Sequence, residues 1–163
     1  DIFPAGRLDK DTTGMVLITN DGTLSHRILS PKKHIPKYYI VKLAESFQED
    51  YVRQFAEGVI IDGGEKCLPA KVKRFPDCEK TAFIELHEGK YHQIKRMFSA
   101  VENSVEKLCR IQMGGLLMPE KLAIGEYMEI MHKDVENLLK SQCFEEVFRN
   151  ITENFSSYWI NMQ

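Results

Sequence analysis

Asp9 is the acidic residue of this chain best placed to take part in a reaction. It lies two residues after Arg7, in a short polar segment that precedes an apolar run. Residues 6–14 read Gly-Arg-Leu-Asp-Lys-Asp-Thr-Thr-Gly, and the apolar run ends in Thr-Asn-Asp-Gly at residues 19–22. An ionised carboxylate can attack or stabilise an electron-poor carbon, such as a sugar carbon that is losing its substituent. In isolation, Asp9 would instead be interpreted as a turn-forming or helix-capping acid before Thr12 and Thr13.

Two further segments carry residues of matching chemistry. Tyr39 lies in Lys-Tyr-Tyr-Ile-Val at residues 37–41, and an aromatic ring beside a carboxylate can stack on an extruded base. Lys95 lies in Glu-Gly-Lys-Tyr-His-Gln-Ile-Lys-Arg-Met-Phe at residues 88–98, and an ammonium group can keep a nearby carboxylate ionised. Both have ordinary alternatives, since Tyr39 could be a core residue of a strand and a Lys-Arg pair on a helix is usually a solvated face.

The residues of these three segments and their order along the chain resemble the sequences of the pseudouridine synthases, in particular the branch that modifies ribosomal RNA. The similarity covers about residues 3 to 140 and includes Leu-Cys-Arg-Ile at residues 108–111 and Gly-Glu-Tyr at residues 125–127. Met128 departs from the family, which usually has Arg after Gly-Glu-Tyr. The wording Lys-Tyr-His-Gln-Ile-Lys favours the small-subunit rRNA enzyme over its large-subunit relatives, which more often carry Asn-Arg in place of Tyr-His.

The resemblance implies isomerisation of a uridine in rRNA to pseudouridine, without a cofactor and with flipping of the base. It assigns the catalytic carboxylate to Asp9, an ionic partner of that carboxylate to Lys95, and stacking on the flipped base to Tyr39. Whether Asp9 acts as nucleophile or as acid-base group stays open. The residues expected to contact RNA are Arg7, Lys37, Lys90 and Arg96, although Arg7 could pair with a local acid and Arg96 could contact the core.

The charge distribution permits an RNA partner more than the net charge does. A net charge of −2 argues weakly against nucleic-acid binding, which usually needs a basic excess. From residue 134 onward, however, five acids face two bases, so the remainder of the chain has a slight basic excess. Its positive charges are grouped in three places, at residues 32–37, 71–74 and 90–96. Such groups are usually solvated faces, so they allow a phosphate track without proving one.

The sequence gives no reason to expect a membrane segment, a metal or a cofactor. No run approaches the roughly 20 apolar residues that cross a bilayer, and no leader opens the chain, so we expect a cytoplasmic protein. The four cysteines and five histidines show no metal-ligand spacing. The glycine pairs at residues 63–64 and 114–115 lack the strand-to-helix context of a phosphate-binding loop.

Apolar periodicity predicts strands clustered in the middle of the chain with helices inserted between them, which favours an α+β fold over strict alternation. The family adds the expectation of a mixed, largely antiparallel sheet with flanking helices and a central active-site cleft, here without its leading strand. We expect a catalytic core over residues 1–133 and a helical extension with an aromatic tail over residues 134–163. The predicted strands are 15–19, 38–43, 59–61, 70–75, 81–87 and 105–113, and the predicted helices include 47–57 and a face marked by Tyr91, Ile94, Phe98 and Val101.

The sequence leaves three alternative functions open beside this interpretation. The chain could be a catalytically silent RNA-binding module of the same fold, possessing the site without turnover. It could also modify large-subunit rRNA. A hydrolase that uses Asp9 with Asp11 or Glu88 is the third alternative, but nothing in the spacing makes a matched pair of carboxylates. We expect a monomer that acts on rRNA or on a pre-ribosomal particle.

Overall fold

A six-stranded mixed sheet forms the centre of the computed structural model, which describes residues 1–30, 32–33 and 35–162. The strands run in the order β2-β7-β4-β6-β5, with β8 added to β7, and β1 and β3 form a separate antiparallel pair. Only β2 with β7 is parallel among the pairings of the described residues. The expected α+β fold with a largely antiparallel sheet is confirmed. The strands are β1 Phe3–Ala5, β2 Thr12–Gly14, β3 Leu17–Thr19, β4 Lys37–Leu43, β5 Lys71–Arg74, β6 Thr81–Leu86, β7 Val105–Met113 and β8 Leu116–Leu117.

Six helices are found in the described residues, and they flank the sheet. The first begins where the sequence supplies a cap, because the carboxylate of Asp21 accepts a hydrogen bond from the Leu24 backbone N–H at 3.0 Å. The sequence also predicts that this helix stops at Pro31, a residue that lies outside the described part of the chain. None of the helices in the described part of the chain has the length and apolar character to cross a membrane. The helices are α1 Gly22–Leu29, α2 Asp50–Glu57, α3 Gln93–Ala100, α4 His132–Leu138, α5 Phe144–Asn154 and α6 Ser156–Ile160.

The sheet is buried on both faces, and β4 shows how its sequence divides between them. Side chains alternate along a strand, so Tyr38 and Ile40 point to one face while Val41 and Leu43 are buried on the other. The face with Tyr38 packs against α5, and the opposite face packs against α2 and α3. Each fully buried aromatic or large aliphatic side chain contributes about 1.5–3 kcal/mol. Helix α5, from the last thirty residues of the sequence, therefore belongs to the same packed body as the sheet.

Helix α3, which carries Lys95, is fixed mainly through its aromatic residue. Phe98 is completely buried and its ring lies 5.1 Å from that of Phe55 on α2 and 6.0 Å from that of Tyr51. Such contacts between aromatic rings add roughly 0.5–1.5 kcal/mol beyond the area that they bury. The remaining, more polar face of α3 is consequently held in one orientation toward the loop before β2.

The predicted single strand over residues 15–19 is wrong in its bounds. Only residues 17–19 of that segment form a strand, β3, and the separate strand β2 ends just before the segment at Gly14; the two strands pair with different partners. Gly14 has a φ of +108°, and the next N–H, that of Met15, donates to the carbonyl of Arg110 at 2.9 Å. The chain thus leaves β7 at this point and turns to pair with β1, which a run of apolar residues does not reveal.

Three other predicted elements also differ in their limits. The helix predicted from Phe47 starts only at Asp50, since the Phe47 N–H donates to the carbonyl of Glu79 and its ring packs edge-on against Tyr51. The predicted strand over residues 59–61 is reduced to a single bridge between Ile60 and Lys66, around a 3-10 turn at Asp62–Gly64. Tyr91, expected on the face of α3, lies before that helix. The strand predicted over residues 105–113 is confirmed with the same bounds.

Candidate active site

Asp9 lies on the turn that leads into β2. Its backbone carbonyl accepts a hydrogen bond from the Thr12 N–H at 2.9 Å, and Thr12 opens β2 opposite Leu108 of β7. The side chain is 31% exposed, and one carboxylate oxygen lies 3.9 Å from Nε2 of His92. The carboxylate is therefore anchored through its backbone and open to solvent, as a group that must reach a substrate should be.

Helix α3 faces this loop with two side chains, His92 at its start and Lys95 one turn later. Lys95 Nζ lies 3.6 Å from Oδ2 of Asp11, so the two acids of the loop meet one basic side chain each. We expected Lys95 to pair with Asp9; the structure places both at the same loop but pairs Lys95 with Asp11. Residues three apart on a helix share one side. His92 and Lys95 therefore face the loop together, and their spacing of three residues is the signal by which His92 could have been found in the sequence.

An open cleft of about 600 Å³ runs along α3 beside this loop. Its size falls in the range of ligand-binding clefts, about 300–1,000 Å³. His92 and Lys95 both line the cleft and contact the acids of the Asp9 loop, so the carboxylates lie next to the cleft. The cleft is lined by Ile60, Ile61, Asp62, His92, Lys95, Arg96, Ser99 and Ala100.

Arg96 holds one wall of the cleft in place. Its Nε donates to Oδ1 of Asp62 at 2.6 Å, Nη2 donates to the Asp62 carbonyl at 3.1 Å, and Nη1 donates to the Tyr91 carbonyl at 2.9 Å. The hydrogen bond with Asp62 raises the pKa of the guanidinium further above its ordinary value. All three of its nitrogens thus have protein partners, and Arg96 joins the 3-10 turn to the start of α3.

The other predicted site residues occupy different surroundings. Tyr39 is half-buried on β4, paired with Arg110 of β7, which in turn pairs with Gly14 of β2, so one strand separates it from the strand after Asp9. Lys90 Nζ lies 3.1 Å from a carboxylate oxygen of Glu65, and Arg7 is exposed on the loop that carries Asp9. The structure therefore brings the loop of Asp9 and Lys95 together at the start of α3, leaves Arg7 exposed on that same loop, and places Tyr39 within the neighbouring sheet.

Comparison with known proteins gives this arrangement a family. Residues 1–100 match the model of a family described as RNA pseudouridylate synthase. The chain belongs to that family. A ribosomal small subunit pseudouridine synthase A of Vibrio parahaemolyticus (serotype O3:K6, strain RIMD 2210633) is 44% identical over 135 residues, which are 82% of this chain and 58% of the relative. The resemblance found in the sequence is thereby confirmed.

Two further relatives agree with that membership of the pseudouridylate synthase family. An uncharacterized RNA pseudouridine synthase of Bacillus subtilis (strain 168) is 45% identical over 142 residues, 86% of this chain and 59% of the relative. A crystal structure of a pseudouridylate synthase superposes with a TM-score of 0.80 at 43% identity, covering 84% of this chain and 59% of that one. The chain thus spans about three fifths of the length of the relatives that it matches.

Lys37 lies in a surrounding that disfavours its charge in this pseudouridylate synthase fold. Burial, followed by repulsion from the Arg110 guanidinium, lowers the pKa of Lys37 from 10.5 to about 8. Below pH 8 the lysine is charged in both the folded and the unfolded chain, and the folded state bears the full cost of the buried charge. Between pH 8 and 10.5 the folded state gives up its proton first, so the free energy of unfolding rises with pH.

Lys37→Met should therefore raise the free energy of unfolding at pH 7 by about 2 kcal/mol. The advantage should shrink above pH 8 and vanish near pH 10.5, which urea denaturation at several pH values would measure. Lys42→Met is the matched control, because Lys42 lies on the same strand but 3.8 Å from Glu106. A gain of Lys37→Met that persists undiminished to pH 10.5 would contradict the explanation by charge.

Proposed function

We propose that this chain is the catalytic part of a pseudouridine synthase that converts a uridine of rRNA, specifically small-subunit rRNA, into pseudouridine. The observation that carries the proposal is the solvent-accessible Asp9 carboxylate beside the cleft along α3, in a chain that belongs to the family. The Vibrio relative is a ribosomal small subunit pseudouridine synthase A, which supports the choice of the small subunit.

The reaction itself requires few groups. The bond between N1 of uracil and C1′ of ribose breaks, the base turns while it stays bound, and a new bond joins C5 to C1′. The proton on C5 leaves to solvent, and N1 ends with a proton. Asp9 would act on the electron-poor sugar, either as a nucleophile at C1′ or as an acid-base group. A solvent-accessible carboxylate oxygen on Asp9 suits both routes.

The remaining residues would bind and orient the nucleotide. A uridine must leave its stack before a side chain can reach its sugar, and a cleft of about 600 Å³ offers space for an extruded nucleotide. Lys95 would keep the loop of Asp9 in place through Asp11 and present positive charge to the phosphate backbone. Tyr39 would stack on the base, and Arg7, Lys37 and Lys90 would contact the RNA backbone. Arg96 would serve the RNA indirectly, by holding the wall of the cleft.

We place the activity in the cytoplasm, in a monomer whose catalytic core is residues 1–133, with residues 134–163 as a helical extension. The scheme requires no cofactor, because cleavage of the N1–C1′ bond and formation of the C5–C1′ bond need only proton transfers and the Asp9 carboxylate.

The direct test is release of tritium from rRNA transcripts labelled at C5 of uracil. Formation of the C5–C1′ bond expels the C5 label, so we expect release from a small-subunit transcript, with one position altered when the product is mapped. Release from a large-subunit transcript alone would overturn the choice of subunit. Binding of both transcripts without release from either would favour the silent RNA-binding module.

A further inference from the structure

Tyr91 is a large aromatic side chain that the fold leaves in water. It is 75% exposed, although it lies just before α3 and next to His92, which lines the cleft. One face of its ring is stacked on the imidazole of His92, with the ring centroids 3.8 Å apart and the planes 19° from parallel. His92 in turn reaches Asp9 at 3.9 Å. The exposed ring is thus connected to the catalytic carboxylate through a single side chain.

The backbone beneath this stacked pair is held in an unusual conformation. His92 has φ 47° and ψ 39°, in the left-handed region that residues with a side chain seldom adopt. Two contacts hold the loop in place: Arg96 Nη1 donates to the Tyr91 carbonyl at 2.9 Å, and the Lys90 N–H donates to the side-chain oxygen of Gln93 at 2.9 Å. Strained residues persist where surrounding contacts determine them, and they concentrate at functional sites.

We propose that Tyr91 is a stacking platform for a nucleobase next to the uridine that enters the active site, and that His92 is the positioning residue that holds it there. This inference rests on the proposed function, whose site it extends by one nucleotide. Single-stranded RNA is held by aromatic rings that stack on its bases and by cations that follow its phosphates. The outer face of the Tyr91 ring is available for stacking on a base, and Lys95 in the first turn of α3 provides a positive charge for the phosphates.

A base fits this surface better than a protein side chain does. His92 already covers one face of Tyr91, so what is offered is a single flat ring at the edge of a polar, charged cleft rather than an apolar groove. Every base has a flat face of the required kind, and stacking tolerates any sequence. Tyr91 would then strengthen binding of the flanking nucleotide without choosing its identity.

The test compares four variants of the complete chain by their Kd for a short oligouridylate and their KM for the tritium-labelled small-subunit transcript. Tyr91→Ala should raise both values about ten-fold, since loss of one stacked base weakens binding by that order. Tyr91→Leu should be nearly as weak, because it restores apolar bulk but no ring, and Tyr91→Phe should lie within about two-fold of the parent. Tyr127→Ala removes an even more exposed tyrosine, 91% exposed, that lies outside the cleft, and it should change neither value.

The outcomes separate this inference from the proposed function. Unchanged binding in Tyr91→Ala, or full recovery in Tyr91→Leu, would overturn the stacking platform and point to a protein contact at this ring. If the parent chain releases no tritium but Tyr91→Ala still weakens oligouridylate binding, the platform stands and the proposed catalysis falls. Equal melting temperatures of the four variants would show that the loss arises at the RNA contact, as the exposure of both tyrosines leads us to expect.

Discussion

Asp9→Asn should reduce uridine isomerisation at least about 1,000-fold while the protein stays folded. The amide has the shape of the carboxylate but can neither attack C1′ nor accept a proton. Stability should hardly change, because the contact between Asp9 and His92 is 3.9 Å long and both side chains are partly exposed. Even an ion pair with that exposure contributes only about 0–1 kcal/mol. Tritium release under single-turnover conditions measures the rate, and urea denaturation measures the stability.

Asp11→Asn is the matched control for this experiment. Asp11 lies two residues away on the same loop, and its carboxylate is 77% exposed and paired with Lys95. Its loss should lower the rate by no more than about ten-fold, since an exposed ion pair orients Lys95 only weakly. The reverse result, with Asp11 essential and Asp9 dispensable, would transfer the catalytic role to the acid that the structure pairs with Lys95. Normal turnover in both variants would remove the loop from the mechanism.

The strands that the sequence predicted best are those whose side chains alternate between two buried faces. Residues 105–113 became β7, and residues 38–43 became β4 with one residue added. In β4 one face is buried against α5 and the other against α2 and α3, so the strand is visible in the sequence as a nearly continuous run of aromatic and β-branched residues. Local pattern and tertiary environment agree there, so the sequence is sufficient.

The sequence was insufficient where the partner of a segment decided its structure. Residues 15–18 are uniformly apolar, yet Met15 hydrogen-bonds to β7 while residues 17–19 pair with β1. Nothing local distinguishes the two partners. Phe47 similarly fits a helical period but is drawn out of α2 by its hydrogen bond to Glu79, from a turn more than thirty residues later.

The candidate site shows the same division between local and distant information. The motifs identified Asp9 and Lys95, and the structure brings both to one end of α3. Which acid meets which base depends on the rotation of α3 about its axis, and this is set by burial of Phe98 against α2. A motif contains no record of that rotation, so the pairing of His92 with Asp9 and of Lys95 with Asp11 became visible only in three dimensions.

Gly14→Ala should be among the most destabilising single substitutions in this chain, at about 3 kcal/mol or more. Gly14 has φ +108°, a conformation that alanine rarely adopts. An added Cβ would also lie 2.1 Å from the carbonyl oxygen and 2.6 Å from the nitrogen of Arg110, both backbone atoms of β7. Neither atom can move without breaking the ladder between β2 and β7. Urea denaturation of the parent chain and of Gly14→Ala measures the loss of stability.

Gly64→Ala separates the clash from the backbone strain. Gly64 has a similar φ of +82°, but nothing lies within 4 Å of the position that its Cβ would take, so strain alone should cost about 1–2 kcal/mol. Because β2 continues directly from the turn of Asp9, Gly14→Ala should also lower the rate of tritium release at temperatures where the protein remains folded, and Gly64→Ala should not. Equal stability losses in the two variants would mean that β2 can shift away from β7 at little cost. The position of Asp9 would then have to be fixed from the side of α3 instead.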